Sequence, residues 1–374
     1  MHRSVILLPP TRRALVLTTL AALCLAFPAD LCAAAPLPYT GVNLAGGEFG
    51  SVGPGQPPVY NKGYVYPTAE EFDYFAGKGM NLFRIPFHWE VLQPEPKKPL
   101  SPVELKRLRD VVKLATSRKL TVILDPHNYA RYYGKVVGGP EVGQDVFADF
   151  WGRMAREFKG DSRVWFGLVN EPNGMPTGRW LRAANAAIAA IRDAGATNLI
   201  LVPGNAYSGA HSWTANWYGE PNSQWMTQVK DPRGNYLIEV HQYLDSDSSG
   251  THVQEVVSPT IGSERLKGFT EWARRNHVRA LLGEFAVPAT EQGRQALTDM
   301  LSAMERDRDV WMGFTWWAAG AWWGDYPFSL EPSKGQDRPQ MGYLAPFLQK
   351  RRPVLERRTS PRQRPASAGP SPDR

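Results

Sequence analysis

The sequence predicts an α/β fold, a single (β/α)₈ TIM barrel, and two observations support this prediction. First, strand-like and helix-like segments alternate along most of the chain, with eight strands in roughly 310 residues, as such barrels require. Second, nearly every predicted strand ends in a polar or aromatic residue, and functional groups in these barrels collect at the C-terminal ends of the strands. No linker rich in Gly and Ser interrupts residues 36–350, so we predict that they form one domain.

The predicted strands are apolar runs bounded by turn residues. In chain order they span residues 40–44, 81–85, 120–124, 164–169, 198–202, 237–241, 279–283 and 313–317. Amphipathic spacing predicts helices at residues 68–78, 102–118, 145–158, 178–194, 263–276 and 291–306. Thr68, Ser101 and Ser263 are the predicted N-caps of three of these helices. Residues 204–234 have the weakest helical pattern, and we expect mainly a long loop there.

Residues 1–35 have the composition of a secretory signal peptide. Arg12 and Arg13 precede an apolar run at residues 14–27, and residues 33–35 are all alanine. The apolar run is too short to span a bilayer comfortably, so we expect no membrane attachment after its removal. We therefore expect a secreted protein, released into the medium or retained in a periplasm.

Composition at the two ends of the chain excludes several classes of protein. Both cysteines, Cys24 and Cys32, lie in the predicted signal peptide, so the mature chain would have no disulfide and no thiolate metal site. Residues 351–374 are rich in Arg, Pro and Ser and are predicted to be a disordered basic tail. The signal segment carries a net charge of +2 and the tail +5, so the formal +7 of the chain leaves residues 36–350 neutral. We therefore infer no nucleic-acid partner from the positive net charge of the chain.

Two of the predicted strands end in a glutamate. The run Val164-Trp-Phe-Gly-Leu-Val ends in Asn170-Glu171-Pro172, and Pro172 cannot continue a strand. The run at residues 278–283 ends in the same way at Glu284. Two carboxyl groups that are delivered to the same end of a barrel suit a glycosidase, which needs one acid/base and one nucleophile.

Other strand ends carry groups that could serve the same site. They are Asn43, Arg84, His127, Asn170, His241, Tyr243 and Trp317. Asn170-Glu171-Pro172, His241-Gln-Tyr243 and Gly283-Glu284, in that order, resemble glycoside hydrolase family 5, and in particular its cellulase branch. The resemblance covers roughly residues 39–348 and includes the runs at residues 41–45, 81–86, 127–131 and 241–252.

The resemblance implies a retaining endo-1,4-β-glucanase with Glu171 as acid/base and Glu284 as nucleophile. It implies substrate contacts from Arg84, His127, Asn170, His241, Tyr243 and Trp317. Arg84 is also expected to lower the pKa of Glu284, because a nearby cation favours the carboxylate. β-1,4-Glucan is the expected substrate of this single catalytic domain, with β-mannan, lichenan and xyloglucan as alternatives. We expect the protein to be a monomer.

The chain has 13 Trp, whose faces suit the flat C–H faces of sugar rings. Trp316 and Trp317 are neighbours on the last strand, so they should point to opposite faces. The small residues that follow Trp317 favour it as the residue that stacks on sugar, and we expect Trp316 to be buried. Trp213, Trp217, Trp322 and Trp323 lie on loops and are candidates either for further sugar platforms or for core packing.

Two other functions are compatible with a barrel. A metal-dependent hydrolase would use residues such as Asp125, His127, His241 and Glu284, but these sites usually begin with a His-x-His pair, which the first strand lacks. We therefore expect neither a metal nor a cofactor. A non-catalytic sugar-binding barrel would require the loss of one carboxylate, whereas Glu171 and Glu284 are both present.

Overall fold

In the computed structural model, which describes residues 36–349, the chain forms a closed barrel of parallel strands. The strands are β1 Tyr39–Leu44, β2 Leu82–Phe87, β3 Thr121–Pro126, β4 Arg131–Tyr132, β5 Lys135–Val136, β6 Val164–Gly167, β7 Ile200–Pro203, β8 Tyr236–His241, β9 Ala280–Glu284 and β10 Trp311–Ala319. Around the barrel their order is β1-β10-β9-β8-β7-β6-β3-β2, and β4 and β5 form a separate antiparallel pair. The prediction of a (β/α)₈ barrel is confirmed, and all eight predicted strands are present.

Helices connect most of the strands. They are α1 Ala69–Gly77, α2 Trp89–Leu92, α3 Pro102–Ser117, α4 Gln144–Phe158, α5 Thr177–Asp193, α6 Asn222–Trp225, α7 Ile261–Arg275, α8 Glu291–Arg306 and α9 Pro339–Leu344. The six predicted helices are confirmed, whereas the short α2, α6 and α9 were not predicted. Between β7 and β8 the chain is mainly loop, as predicted, with α6 and short 3₁₀ turns at Ala206–Ser208, Trp217–Gly219 and Met226–Gln228.

Two of the three predicted N-caps are present. The side chains of Thr68 and Ser101 accept hydrogen bonds from backbone N–H groups in the first turns of α1 and α3. The prediction that Ser263 is an N-cap was wrong, because the N-cap of α7 is Thr260 and Ser263 lies inside the first turn of the helix. There the backbone N–H of Ser263 donates to Asp299 of α8 (2.7 Å). A carboxylate from the neighbouring helix thus satisfies this N-terminus, which sequence-local capping rules do not anticipate.

Side chains inside the barrel lie in two successive layers. The lower layer is apolar and consists of Leu82, Ile123, Trp165, Leu201, Leu237 and Leu281. Since strand residues alternate between faces, the next inward side chain on each strand lies two residues further along. On β2, β3 and β8 these residues are Arg84, Asp125 and Glu239, which are all buried. We call these three residues the charged layer.

Both ends of the chain lie outside the described residues, so the predicted signal peptide and basic tail stay predictions. Among residues 36–349, none of the helices combines the length and the apolar character that crossing a bilayer would need.

Candidate active site

Glu171 and Glu284 lie together at the C-terminal end of the barrel. Glu284 is the last residue of β9, and Glu171 follows β6 after three residues, with a left-handed φ of 40°. One carboxylate oxygen of each lies within 4.8 Å of the other. The carboxyl groups of retaining glycosidases lie about 5–5.5 Å apart, whereas those of inverting enzymes lie about 6.5–9.5 Å apart. This separation suits the retaining geometry.

Arg84 lies beneath Glu284 and Asn170. Its guanidinium donates hydrogen bonds to Glu284 Oε1 (3.0 Å), Asn170 Oδ1 (2.8 Å) and Asn43 Oδ1 (2.9 Å). The side chain is 0% exposed. Because no part of Arg84 reaches the cleft, its predicted contact with substrate does not agree with its position. Its hydrogen bonds instead fix the orientation of the side chains that face the cleft.

The remaining contacts of Arg84 are ion pairs within the charged layer. Asp125 Oδ2 and Glu239 Oε1 each lie 3.0 Å from the guanidinium nitrogens. Burial raises the pKa of Asp125, but the cations of Arg84 and His127 outweigh this and hold it below its usual value. Glu239 was not among the predicted site residues. It could have been found in the sequence as a charged residue in an apolar strand, two residues before His241 and thus on the same face.

His241 lies between two carboxylates. Its Nδ1 is 2.7 Å from Glu171 Oε1, and its Nε2 is 3.4 Å from Glu239 Oε1. Burial of the ring lowers the pKa of His241, but Glu284, Glu171 and Glu239 outweigh burial and raise it to about 10. The ring is therefore a cation at neutral pH, with an N–H for each carboxylate. The predicted contact between His241 and Glu171 is present.

Glu284 accepts hydrogen bonds on both oxygens, from Arg84 and from the Tyr243 hydroxyl (3.0 Å). This matches the expectation that Tyr243 orients the carboxylate. Burial raises the pKa of Glu284 above its usual value, and the cations of His241 and Arg84 offset this only in part. The expectation that Arg84 holds this pKa low therefore omitted the larger effect, which is desolvation.

His127 and Asn170 complete the hydrogen-bonded set. Arg84 can only donate, so the amide oxygen of Asn170 faces Arg84 and the amide nitrogen lies 3.1 Å from His127 Nε2. His127 Nδ1 lies 2.8 Å from Asp125. Burial lowers the pKa of His127, but Asp125 raises it above its usual value. The N–H of Asn170 acts in the opposite direction, because it requires an unprotonated Nε2.

Trp316 and Trp317 point to opposite faces of β10, as predicted. Trp316 is fully buried, and its indole N–H donates to the carbonyl of Phe328 (2.8 Å). Trp317 is half-buried, stacks on the His127 ring at 5.2 Å and meets Trp323 edge-on at 5.8 Å. Its position beside His127 places it at the predicted site. The peptide bond between Trp317 and Ala318 is cis.

A cavity of about 430 Å³ adjoins Glu171, His241 and Tyr243. Its remaining lining comes from loops and includes Tyr129, Tyr207, His211, Trp217, Asp247 and Ser249. None of these except Trp217 was singled out from the sequence. Tyr129, Asp247 and Ser249 lie within the runs that carry the family resemblance, whereas Tyr207 and His211 have no signal except that they follow a strand end. Loop conformation decides which of these residues reach the cavity.

The four candidate loop tryptophans have different positions. Trp213 is fully buried against Phe269 and Trp272, so it packs in the core. Trp323 stacks on Tyr326 at 4.6 Å beside Trp317. Trp217 and Trp322 are exposed. We call the exposed rings on loops after β7 and β10, Tyr207, Trp217, Tyr218 and Trp322, the aromatic rim.

Two groups among residues 36–349 bring three possible metal ligands together. Glu171, His241 and Glu284 form one, and Asp245, Asp247 and His252 form the other. In the first group His241 Nδ1 lies 2.7 Å from Glu171 and 3.7 Å from Glu284, so the N–H of the cationic ring already faces both carboxylates. In the second group, Asp245 accepts hydrogen bonds from the backbone N–H groups of Gly250 and His252, so its carboxylate is already used to stabilise the loop at residues 245–252.

Known proteins of similar sequence bear endoglucanase names. The family model described as cellulase (glycosyl hydrolase family 5) matches residues 40–320. A probable endo-beta-1,4-glucanase B of Aspergillus oryzae is 39% identical over 299 residues, which are 79% of this chain and 86% of that protein. Endoglucanase gh5-1 of Neurospora crassa is 40% identical over 300 residues, which are 79% of this chain and 73% of that protein.

Solved structures show the same fold and similar sequences. XacCel5A in complex with cellopentaose is 49% identical, with a TM-score of 0.81, over 83% of this chain and 99% of that one. The endo-beta-1,4-glucanase Xac0029 of Xanthomonas axonopodis pv. citri gives the same identity and TM-score, over 83% and 98% of the two chains. Pseudomonas stutzeri endoglucanase Cel5A in complex with cellobiose is 32% identical, with a TM-score of 0.75, over 83% and 92%.

Proposed function

This chain belongs to glycosyl hydrolase family 5, and from that premise we propose that it is an endo-1,4-β-glucanase acting by retaining double displacement. The observation that carries the mechanism is the approach of a Glu171 oxygen and a Glu284 oxygen within 4.8 Å. The carboxyl groups of an inverting enzyme lie about 6.5–9.5 Å apart to leave room for a water, whereas this close approach suits the shorter separation of a retaining enzyme.

In the first step, Glu284 attacks the anomeric carbon and Glu171 gives its proton to the glycosidic oxygen. Glu284 suits the role of nucleophile because Arg84 and Tyr243 hold its two oxygens and so aim the carboxylate. The C–O bond to the leaving sugar breaks as the bond to Glu284 forms. Asn170, held by Arg84 and His127, lies beside Glu171 and suits a hydrogen bond to the sugar 2-hydroxyl.

In the second step, the glycosyl ester on Glu284 is hydrolysed. Glu171, now a carboxylate, takes a proton from water as the water attacks the anomeric carbon, and the bond from that carbon to Glu284 breaks and releases the Glu284 carboxylate. Esterification neutralises Glu284, so a negative charge close to Glu171 is removed once the intermediate has formed. The cation of His241 stabilises the Glu171 carboxylate through its 2.7 Å contact. Both glutamates therefore return to their starting protonation.

We propose β-1,4-glucan as the substrate. The names of the similar proteins and the cellopentaose in the related structure support this choice. β-Mannan is the second candidate, because the hydrogen-bonded groups around Glu171 do not by themselves select one configuration of the sugar hydroxyls. The composition of residues 1–35 supports secretion, and we propose that the secreted chain acts as a monomer free of any membrane.

Two alanine variants test the roles of the glutamates. Glu171→Ala should keep activity on 2,4-dinitrophenyl β-cellobioside, whose leaving group needs little protonation, and added azide should accelerate it. Glu284→Ala should lose activity on this substrate and on cellotetraose alike. Rates of both variants on both substrates, with and without azide, give the measurement. Equal behaviour of the two variants, or an α-anomer as the first NMR-detected product of the unmodified enzyme, would contradict the proposal.

A further inference from the structure

We propose that Glu239 is a positioning residue of this reaction, which keeps the His241 ring doubly protonated, with Nε2–H toward Glu239 and Nδ1–H toward Glu171. The proposal rests on the proposed role of Glu171 as acid/base. Nothing in the family resemblance or in the sequence predictions assigned a part to Glu239.

The position of Glu239 leaves it few possible partners. It belongs to the charged layer, on the same face of β8 as His241, and its side chain is 1% exposed. Its Oε1 lies 3.4 Å from His241 Nε2 and 3.0 Å from Arg84 Nε, whereas its Oε2 has no hydrogen-bond partner among residues 36–349. Burying a carboxylate is costly unless cations pair with it, and Arg84 and His241 are the cations that contact Glu239.

The geometry of His241 follows from the carboxylates on its two sides. Nε2 faces Glu239, and Nδ1 faces Glu171 Oε1 at 2.7 Å. A ring that serves both acceptors must carry both protons, because neutral imidazole has only one N–H. The raised pKa of His241, about 10, agrees with this geometry.

A doubly protonated His241 has no lone pair that could take the catalytic proton from Glu171. Because Nδ1–H donates to Glu171 Oε1, the ring cannot accept the acid proton, which passes to the glycosidic oxygen as the C–O bond breaks. In the second step Glu171 takes a proton from water, and His241 keeps both of its own throughout. A neutral His241 with its proton on Nε2 would instead turn a lone pair toward Glu171 and compete for that proton.

The backbone beside the nucleophile makes room for Glu239. A Cβ atom added to Gly283 would lie 2.3 Å from Glu239 Oε1, which is far inside contact distance. Gly283, the residue before Glu284, therefore has no side chain at the point where the carboxylate of Glu239 packs against β9. Glu239 and the strand that carries the nucleophile are thus packed directly against each other.

Other charges also face this pair and must be separated from it by the experiment. They are Arg84 on β2, Asp125 on β3, Glu171 after β6 and Glu284 on β9. Asp125 offers a matched control, because it is a buried carboxylate on the same guanidinium but has no hydrogen bond to His241. Asp125→Asn and Glu239→Gln each remove one negative charge from Arg84, and only Glu239→Gln removes the charge at His241 Nε2.

Nitrogen NMR of histidine-labelled protein measures the proposed effect directly. In the unmodified enzyme the His241 ring should stay doubly protonated to above about pH 8. In Glu239→Gln the midpoint of the His241 titration should fall by about one pH unit or more. In Asp125→Asn the midpoint should change less. A His241 midpoint at or below the ordinary histidine value in the unmodified enzyme would overturn the proposal even if no variant folds.

Kinetics separate positioning from simple loss of structure. At a pH between the His241 midpoints of the two proteins, where only the ring of the variant is neutral, Glu239→Gln should lose roughly tenfold more kcat/KM on cellotetraose than on 2,4-dinitrophenyl β-cellobioside. Only the natural leaving group needs the proton of Glu171. Asp125→Asn should lose activity on both substrates to a similar extent. Equal losses for Glu239→Gln would overturn the inference alone. If Glu171→Ala also fails to distinguish the two substrates, the proposed function is what fails.

Discussion

The charged layer lies inside the barrel beneath the glutamates, whereas the aromatic rim lies on loops that face solvent. Each member of the charged layer contacts at least one other ionised group within 3.4 Å. The rings of the rim are between 40% and 48% exposed, and the closest ring contact of Trp217 is an edge-on approach to His211 at 5.7 Å. The charged layer is therefore a connected network of ions, whereas the rings of the aromatic rim are exposed separately.

This difference predicts how the two regions respond to mutation. Removing one ion from a buried network leaves its partners as uncompensated charges, so the cost exceeds the value of any single contact. Removing an exposed ring leaves neighbouring groups in water, so the cost is limited to the contact with the ligand. We therefore expect large and interdependent effects in the charged layer and small, additive effects at the rim.

The largest effect should come from Arg84. Arg84→Met fills much of the same volume but leaves Asp125 and Glu239 buried without a cation, so the free energy of unfolding should fall by about 3–5 kcal/mol. Urea denaturation would measure it. Arg107→Met is a suitable control, since Arg107 is partly exposed and pairs with Glu104, which also accepts from Tyr64 and Tyr66. Its loss should be about 1 kcal/mol or less. Similar losses for both variants would show that the charged layer is not interdependent.

Trp316 and Trp317 allow a buried and a half-buried ring to be compared by the same substitution, tryptophan to alanine. Trp316→Ala should lower the free energy of unfolding by about 3–5 kcal/mol, because the ring is fully buried. Trp317→Ala should mainly reduce turnover on cello-oligosaccharides, by about 0.5–1.5 kcal/mol beyond the lost contact area, because it removes a ring that faces the cleft. Thermal melts and kinetics on both variants distinguish the effects. A stable but inactive Trp316→Ala would reverse the assignment of the two rings.

The two regions also differ in how far the sequence predicts them. Strand alternation fixes which side chains share a face, and this was enough to bring Glu171, Glu284, His241 and Trp317 to one end of the barrel. Glu239 was not predicted because it lies inside β8 and not at its end, although the same alternation places it on the face of His241. Its burial and its contact with Arg84 depend on neighbouring strands, which alternation within one strand does not reveal.

The rim could not be predicted in the same way. Tyr207 lies on the cavity because three successive residues, Ala206 to Ser208, have left-handed φ angles between 55° and 58°. Non-glycine residues rarely adopt this conformation, and no local propensity signals three in a row. The capping error at Ser263 has a similar cause, because the group that satisfies the N-terminus of α7 comes from Asp299 on another helix.

The smallest effect should come from the rim, where two adjacent rings provide a matched pair. Trp217 lines the cavity next to Glu171 and is 46% exposed, whereas Tyr218 is 43% exposed but does not line it. Trp217→Ala should raise KM for cellopentaose by a few-fold, equivalent to about 0.5–1.5 kcal/mol, with little change in melting temperature. Tyr218→Ala should leave both unchanged.

Steady-state kinetics on cellopentaose and on 2,4-dinitrophenyl β-cellobioside would measure this effect. The aryl substrate places no sugar beyond the scissile bond, so the Trp217 variant should bind it normally if the ring contacts the leaving-group sugars. Adding Trp217→Ala to Trp317→Ala should give the sum of the two separate losses, since the rings share no contact. A double variant that departs from additivity by more than about 0.5 kcal/mol would show that the rim is coupled to the hydrogen-bonded groups below it.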